Sequence, residues 1–156
     1  MDSDHDAIEV MHRRLREKAT PISAMVVDLG NPSPAIGFRN REREAWLERA
    51  NAECVLALAL VHHLMVSGNL SPAAVRDMLS DLTSDLAVVE FVPTDDAMFK
   101  ELLKHRVGPF DEVSLEVFVE TMSERFELLE REPIPGTGRI LLFLRRRNRE
   151  GGERRP

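Results

Sequence analysis

The chain has a single cysteine, Cys54, so no internal disulfide can form and a reducing cytoplasm fits. No apolar run approaches the roughly 20 residues that cross a bilayer. The longest, CVLALALV, has the length of a strand. The opening residues hold no apolar signal region, so secretion is not indicated and the expected location is cytoplasmic. No internal repeat is visible, and there is neither a G-x-G-x-x-G stretch nor a phosphate loop. These gaps argue against a disulfide scaffold, a helical membrane span and a P-loop enzyme.

What is present points to a folded chain. The 156 residues suit one domain with a real core. Hydrophobic residues make up 43% and charged residues 31%, a balance that folds rather than staying disordered. The formal charge of −6 argues against a nucleic-acid-coating protein. The closing RRRNREGGERRP carries six arginines against two glutamates. With no aromatic residue interleaved, the segment 148–156 reads as a solvated, disordered basic tail.

The periodicity alternates along the chain. Ile8, Met11 and Leu15 recur at helical spacing. PISAMVVDLG, opened by proline and closed by glycine, reads as a strand, and NPSPAIGFRN as a loop. REREAWLERA is helical, with Trp46 and Leu47 as anchors. CVLALALV is apolar at every position, as a strand buried on both faces would be. SPAAVRDMLSDL is a helix with Ser71 as N-cap, Pro72 at the first position, and Val75, Met78, Leu79 and Leu82 as its stripe. LAVVEFVP is a strand, after which Thr94 caps a helix with Asp95 and Asp96 in its first turn. VSLEVFVETMSERF is a helix burying Phe118, Met122 and Phe126, and the remainder reads as two strands joined by a Pro/Gly-rich turn. The expectation is an α/β fold with a mostly parallel sheet and an antiparallel hairpin at its carboxyl end.

In such sheets ligands sit beyond the carboxyl ends of the strands. Those ends are Asp28–Gly30, Val61–His63 and Glu90–Pro93. His62 and His63 follow a buried strand, where neighbours face opposite ways and cannot share a metal without a turn. No cysteine or acidic cluster completes a metal set, so no metal is expected. Either histidine can serve as a general base or line a pocket; either can equally pack inertly under the next helix. Asp28 can accept from a ligand or cap its own turn, and the spacing favours the turn. Glu90 lies inside an apolar strand, where a carboxylate must face a cleft or a basic partner.

Taken together, DLGNPSPAIGFRNRERE, ECVLALALVHHL, VVEFVP and EREPIPGTGRILLFLRRR resemble the C-terminal two-thirds of a class I S-adenosylmethionine-dependent methyltransferase. The likeness is to bacterial proteins with a D-x-x-NPSPAIGW loop and an LALIHHL strand end, and it covers residues 1–147. Phe38 stands where that group has tryptophan. The resemblance implies a Rossmann-like sheet that transfers a sulfonium methyl to an acceptor. Asp2 matches the acid that binds the cofactor's ribose. Asp28 and Leu29 match the adenine contact, and Glu53 the acid that opens the fourth strand. Leu60 to His63 match the segment facing the methyl group, with His62 and His63 as candidate bases.

The glycine-rich cofactor loop, the first strand and nearly all of the second strand of that family have no counterpart here. The resemblance thus implies a chain that starts inside the family domain, binds S-adenosylmethionine weakly or not at all, and is inactive alone. A non-catalytic relic, or a subunit docking on a chain that supplies the N-terminal strands, is the alternative. The expected sheet has strands near 23–28, 54–60, 86–92, 127–132 and 139–146, ordered 3-4-5-7-6 in family numbering. The methyl acceptor is not readable; neither a membrane nor a nucleic acid is an expected partner.

Overall fold

The computed structural model describes residues 1–18, 20–104 and 113–148. Two compact units appear, Met1–Arg49 and Ala50–Pro156. The basic tail expected from residue 148 onward falls, but for Asn148, outside the described residues.

In the first unit, helix α1 spans His5–Lys18. Asp4 starts it, its carboxylate accepting from the amides of Asp6 and Ala7 at 2.8 and 3.1 Å. Residues 23–28 do not form the expected sheet strand. They contribute one isolated parallel bridge, Asp2 to Val26. Asp2 N donates to Met25 O at 3.2 Å, and Val27 N donates to Asp2 O at 2.9 Å. The ladder stops there because Asp4 already turns the chain into α1. A short 3-10 turn, Phe38–Asn40, follows the proline-rich loop. The helix expected over REREAWLERA shrinks to α2, Trp46–Arg49, with Trp46 buried.

The second unit holds a four-stranded sheet ordered β1-β2-β4-β3. The strands are β1 (Ala52–Ala57), β2 (Thr83–Phe91), β3 (Phe126–Pro133) and β4 (Ile140–Arg146). β1 pairs parallel with β2, while β4 lies antiparallel to both β2 and β3. The sheet is therefore mixed rather than mostly parallel. Three strands run one way, but β4 is wedged between β2 and β3 and opposes both.

Helix α3 is Val61–Val66, α4 is Pro72–Leu82, α5 is Ala97–Leu103 and α6 is Leu115–Ser123. Ser71 caps α4 as its sequence announces, accepting from Ala74 N at 3.1 Å, with Pro72 at the first helical position. β2 lies between β1 and β4, and alternate residues along it share a covered face. Ala87, Val89 and Phe91 are buried with Leu142 and Leu144 of β4. Val75, Met78, Leu79 and Leu82 of α4, and Phe118 and Met122 of α6, are likewise buried, as is Phe126 at the start of β3. Phe91 and Phe118 stack at 5.5 Å between ring centroids. A second cluster, Val66, Val92 and Phe99, joins α3, the end of β2 and α5.

CVLALALV is not a strand buried on both faces. The strand ends at Ala57, Leu56 is 63% exposed and Leu58 is 52% exposed. The last residue of the apolar run, Val61, opens α3. Apolar continuity hid this boundary, since a short run without a capping residue fits strand and helix alike.

Candidate functional site

The carboxyl ends of β1 and β2 lie side by side because the two strands are parallel neighbours. After β1 the chain turns at Ala59, whose φ of 49° lies in the left-handed region that side chains rarely adopt. Helix α3 starts directly afterwards and carries both histidines. They are helical, not on an extended strand, so they diverge by about 100° around the axis. His62 points inward and is 4% exposed; His63 is exposed.

His62 packs against two rings. Its ring lies 4.3 Å from that of His63, tilted by 41°. The ring of Phe99 in α5 lies 5.7 Å away and perpendicular to it, at 88°. Its Nδ1 is buried and has no hydrogen-bond partner. A lone pair is cheaper to strand than an N–H, so the neutral ring places its proton on Nε2. Burial is the main reason its pKa falls to about 4. His63 and the Arg139 guanidinium push the same way, while Glu90 and Asp96 oppose them. His62 is therefore neutral at pH 7.

Glu90 finds the basic partner that its place in an apolar strand demanded. Its Oε1 accepts from Arg139 Nη1 at 3.1 Å, and its Oε2 accepts from Ala59 N at 2.9 Å. Arg139 Nε donates to Asp96 Oδ2 at 2.9 Å. This pairing is the leading cause that holds the Asp96 carboxyl below its ordinary range. Asp96, not Thr94, caps α5, its Oδ1 accepting from Met98 N and Phe99 N. The cap falls there because Asp96 N first closes a turn onto Pro93 O at 3.0 Å. Sequence reading missed Arg139, Asp96, Ala59 and Phe99 as members of this cluster. The one available signal was the unpaired charge of Glu90 inside LAVVEFVP.

Among the sequence-derived candidates, the second unit brings His62, His63 and Glu90 together, with Leu60 as the half-buried residue preceding α3. Glu53 lies in β1 and is exposed. Asp2, Asp28 and Leu29 belong to the first unit. Asp28 Oδ1 accepts from Gly30 N at 2.9 Å, the turn-capping role that the spacing favours. Asp2 Oδ1 accepts from Asp4 N at 3.0 Å, and its bridge to Val26 sets it beside the segment ending in Asp28. Among the described residues, no group of three or more His, Cys, Asp or Glu is placed to hold a metal ion. Nor is any helix of theirs long and apolar enough to cross a membrane.

The chain is similar to the nodulation protein NoeA of Rhizobium meliloti (strain 1021), with 30% identity over 145 residues. That match covers 93% of this chain and 30% of NoeA, so the chain spans under a third of its relative's length. No family model and no solved structure matches the chain.

Proposed function

We propose that this chain is a portion of a class I S-adenosylmethionine-dependent methyltransferase-like protein, with a Rossmann-like sheet lacking its first strand and most of its second. The observation that carries the reading is the strand order. β1-β2-β4-β3, with β4 antiparallel between two strands of the other direction, fits the 4-5-7-6 half of the sheet implied by the resemblance. The Asp2 to Val26 bridge supports it: the resemblance makes Asp2 the end of the second strand and 23–28 the third, and in the resembled family, whose strand order is 3-2-1-4-5-7-6, those two are parallel neighbours.

In this reading Asp2 would hold the ribose hydroxyls. Its Oδ1 is engaged by Asp4 N, and among the described residues none donates to its Oδ2. By the resemblance, Asp28 and Leu29 of the first unit are the candidates for the adenine, and Leu60 of the second unit is the separate candidate for the methyl-bearing end. The cofactor supplies an electrophilic methyl on a sulfonium sulfur. The chain's own residues orient the acceptor and take its proton. His63 is the better-placed base of the pair, being exposed where His62 is buried. His62, neutral and buried, forms the wall behind it. Orientation contributes most, because an in-line displacement needs little else from the protein.

No glycine loop for the cofactor's amino-acid end is present in this sequence. Each hydrogen bond lost to that charged end costs about 1.5–3 kcal/mol, so a few lower affinity by orders of magnitude. The 156-residue chain alone is therefore expected to bind weakly and to be inactive. Isothermal titration with S-adenosylhomocysteine tests this. Binding tighter than about 100 μM, or roughly −5.5 kcal/mol, by the monomer would show that the loop is dispensable.

A second reading, a non-catalytic docking subunit, is favoured by the edge of β1. Cys54 and Leu56 alternate along it, with Leu58 just past its end, all exposed, and β1 is terminal in the sheet. The opposite edge, β3, carries Glu127, Glu130, Arg131 and Glu132, the charged protection that edge strands ordinarily have. An edge left apolar suits a partner that adds a parallel strand. Methyl transfer that appears only when a chain with the glycine loop is added would join the two readings; no transfer with any such chain would leave docking alone.

A further inference from the structure

The hairpin between β3 and β4 comes close to the loop after β2. A Cβ added at Gly138 would meet Pro93 Cγ at 3.2 Å, tighter than ordinary contact. This approach delivers the next residue, Arg139, to the carboxyl ends of β1 and β2. We propose that Arg139 is a positioning residue for His62 and His63, holding the turn that starts α3 and the helix that presses Phe99 onto His62.

The geometry divides into two arms. One runs from Arg139 Nη1 through both oxygens of Glu90 to the amide of Ala59. Ala59 is not glycine, so its φ of 49° must be imposed by its surroundings. Leu60, which precedes α3, makes no side-chain cap bond. The start of α3 thus has no local signal, and Glu90 fixes the amide just before it. The other arm runs from Arg139 Nε to Asp96, whose second oxygen takes the amides of Met98 and Phe99. That bond pins the first turn of α5 and with it the Phe99 ring, perpendicular to His62.

A flat guanidinium is suited to this task. Its Nε and Nη1 protons leave in fixed directions, so one side chain sets the relation between two carboxylates. An ammonium carries the same charge without that fork. Stability alone is a poor explanation, since a partly exposed ion pair adds little and a packed apolar side chain does as well. The role holds whichever reaction the histidines serve.

Amide hydrogen exchange and histidine-ring NMR on the full chain test it, with Arg139→Met, Arg139→Lys and Glu90→Ala. In R139M and E90A the Ala59 amide is expected to exchange about tenfold faster, while Val88 and Leu142 in the sheet centre keep their protection. In R139M the His62 ring resonances are expected to lose their shift from Phe99. Wild-type exchange at Ala59 with an unshifted His62 in R139M would overturn the proposal. If R139M loosens every amide, R139K decides. Faster exchange confined to Ala59 and Phe99 supports positioning by the fork, and a wild-type pattern leaves only charge and overturns it.

Discussion

The rings of His62 and Phe99 stand perpendicular, centroids 5.7 Å apart and planes at 88°. Both side chains are buried, so the imidazole has exchanged water for an apolar neighbour and a Nδ1 with no partner. That exchange makes the protonated ring costly, and it gives the protein a dependence on acid.

An unfolded chain protonates this histidine near the ordinary value of 6.5, whereas folded His62 waits until about 4. Between those limits the unfolded state binds more protons, so stability falls as pH drops and levels off below about 4. The contribution is complete above 6.5 and amounts to roughly 3 kcal/mol. The groups facing the ring are His63, Arg139, Glu90 and Asp96. Urea unfolding at pH 7 and 4.5 should show a smaller loss for His62→Gln than for the parent chain. Equal losses would mean that His62 does not resist protonation.

The two sides of the sheet should respond oppositely to substitution. Leu142 is fully buried in β4, and Leu142→Ala is expected to cost about 2–5 kcal/mol. Leu56 lies on the open strand β1, and Leu56→Lys should change stability by no more than about 0.5 kcal/mol. Denaturant midpoints measure both. A large loss from L56K would show that its side chain is covered in solution.

Two caps differ in what they hold. Ser71→Ala removes one bond at the start of α4 and should cost about 1 kcal/mol. Asp96→Ala removes the cap of α5 and also one of the two carboxylate partners of Arg139, so it should cost about 2 kcal/mol or more. Asp96→Asn keeps an acceptor for the helix amides and should recover roughly half of that. Thermal melts of the three variants rank them; equal losses in S71A and D96A would show that the Arg139 contact contributes nothing.

Ser71 and Pro72, the stripe of α4 and the closing hairpin were legible because each depends on neighbours in sequence. Glu90 was half legible: a carboxylate in an apolar strand calls for a partner, but not for a particular one. Its partner, Arg139, is 49 residues away. The boundary between β1 and α3 was not legible. Ala59 carries no turn signal, and the apolar run passes through it unbroken.

The sequence by itself determined the alternation of apolar segments, the α4 cap and the presence of two histidines beyond a strand. Those are local properties of side-chain volume, polarity and capping. Tertiary structure alone decided that His62 turns inward and His63 outward, that residues 23–28 make a single bridge, and that Arg139 joins Glu90 to Asp96. A strand needs a neighbour to satisfy its backbone, and a buried charge needs a partner wherever the fold supplies one. In this chain β2 found β4 across an antiparallel ladder, while the segment before Asp28 bridges Asp2, where the backbone turns away into α1.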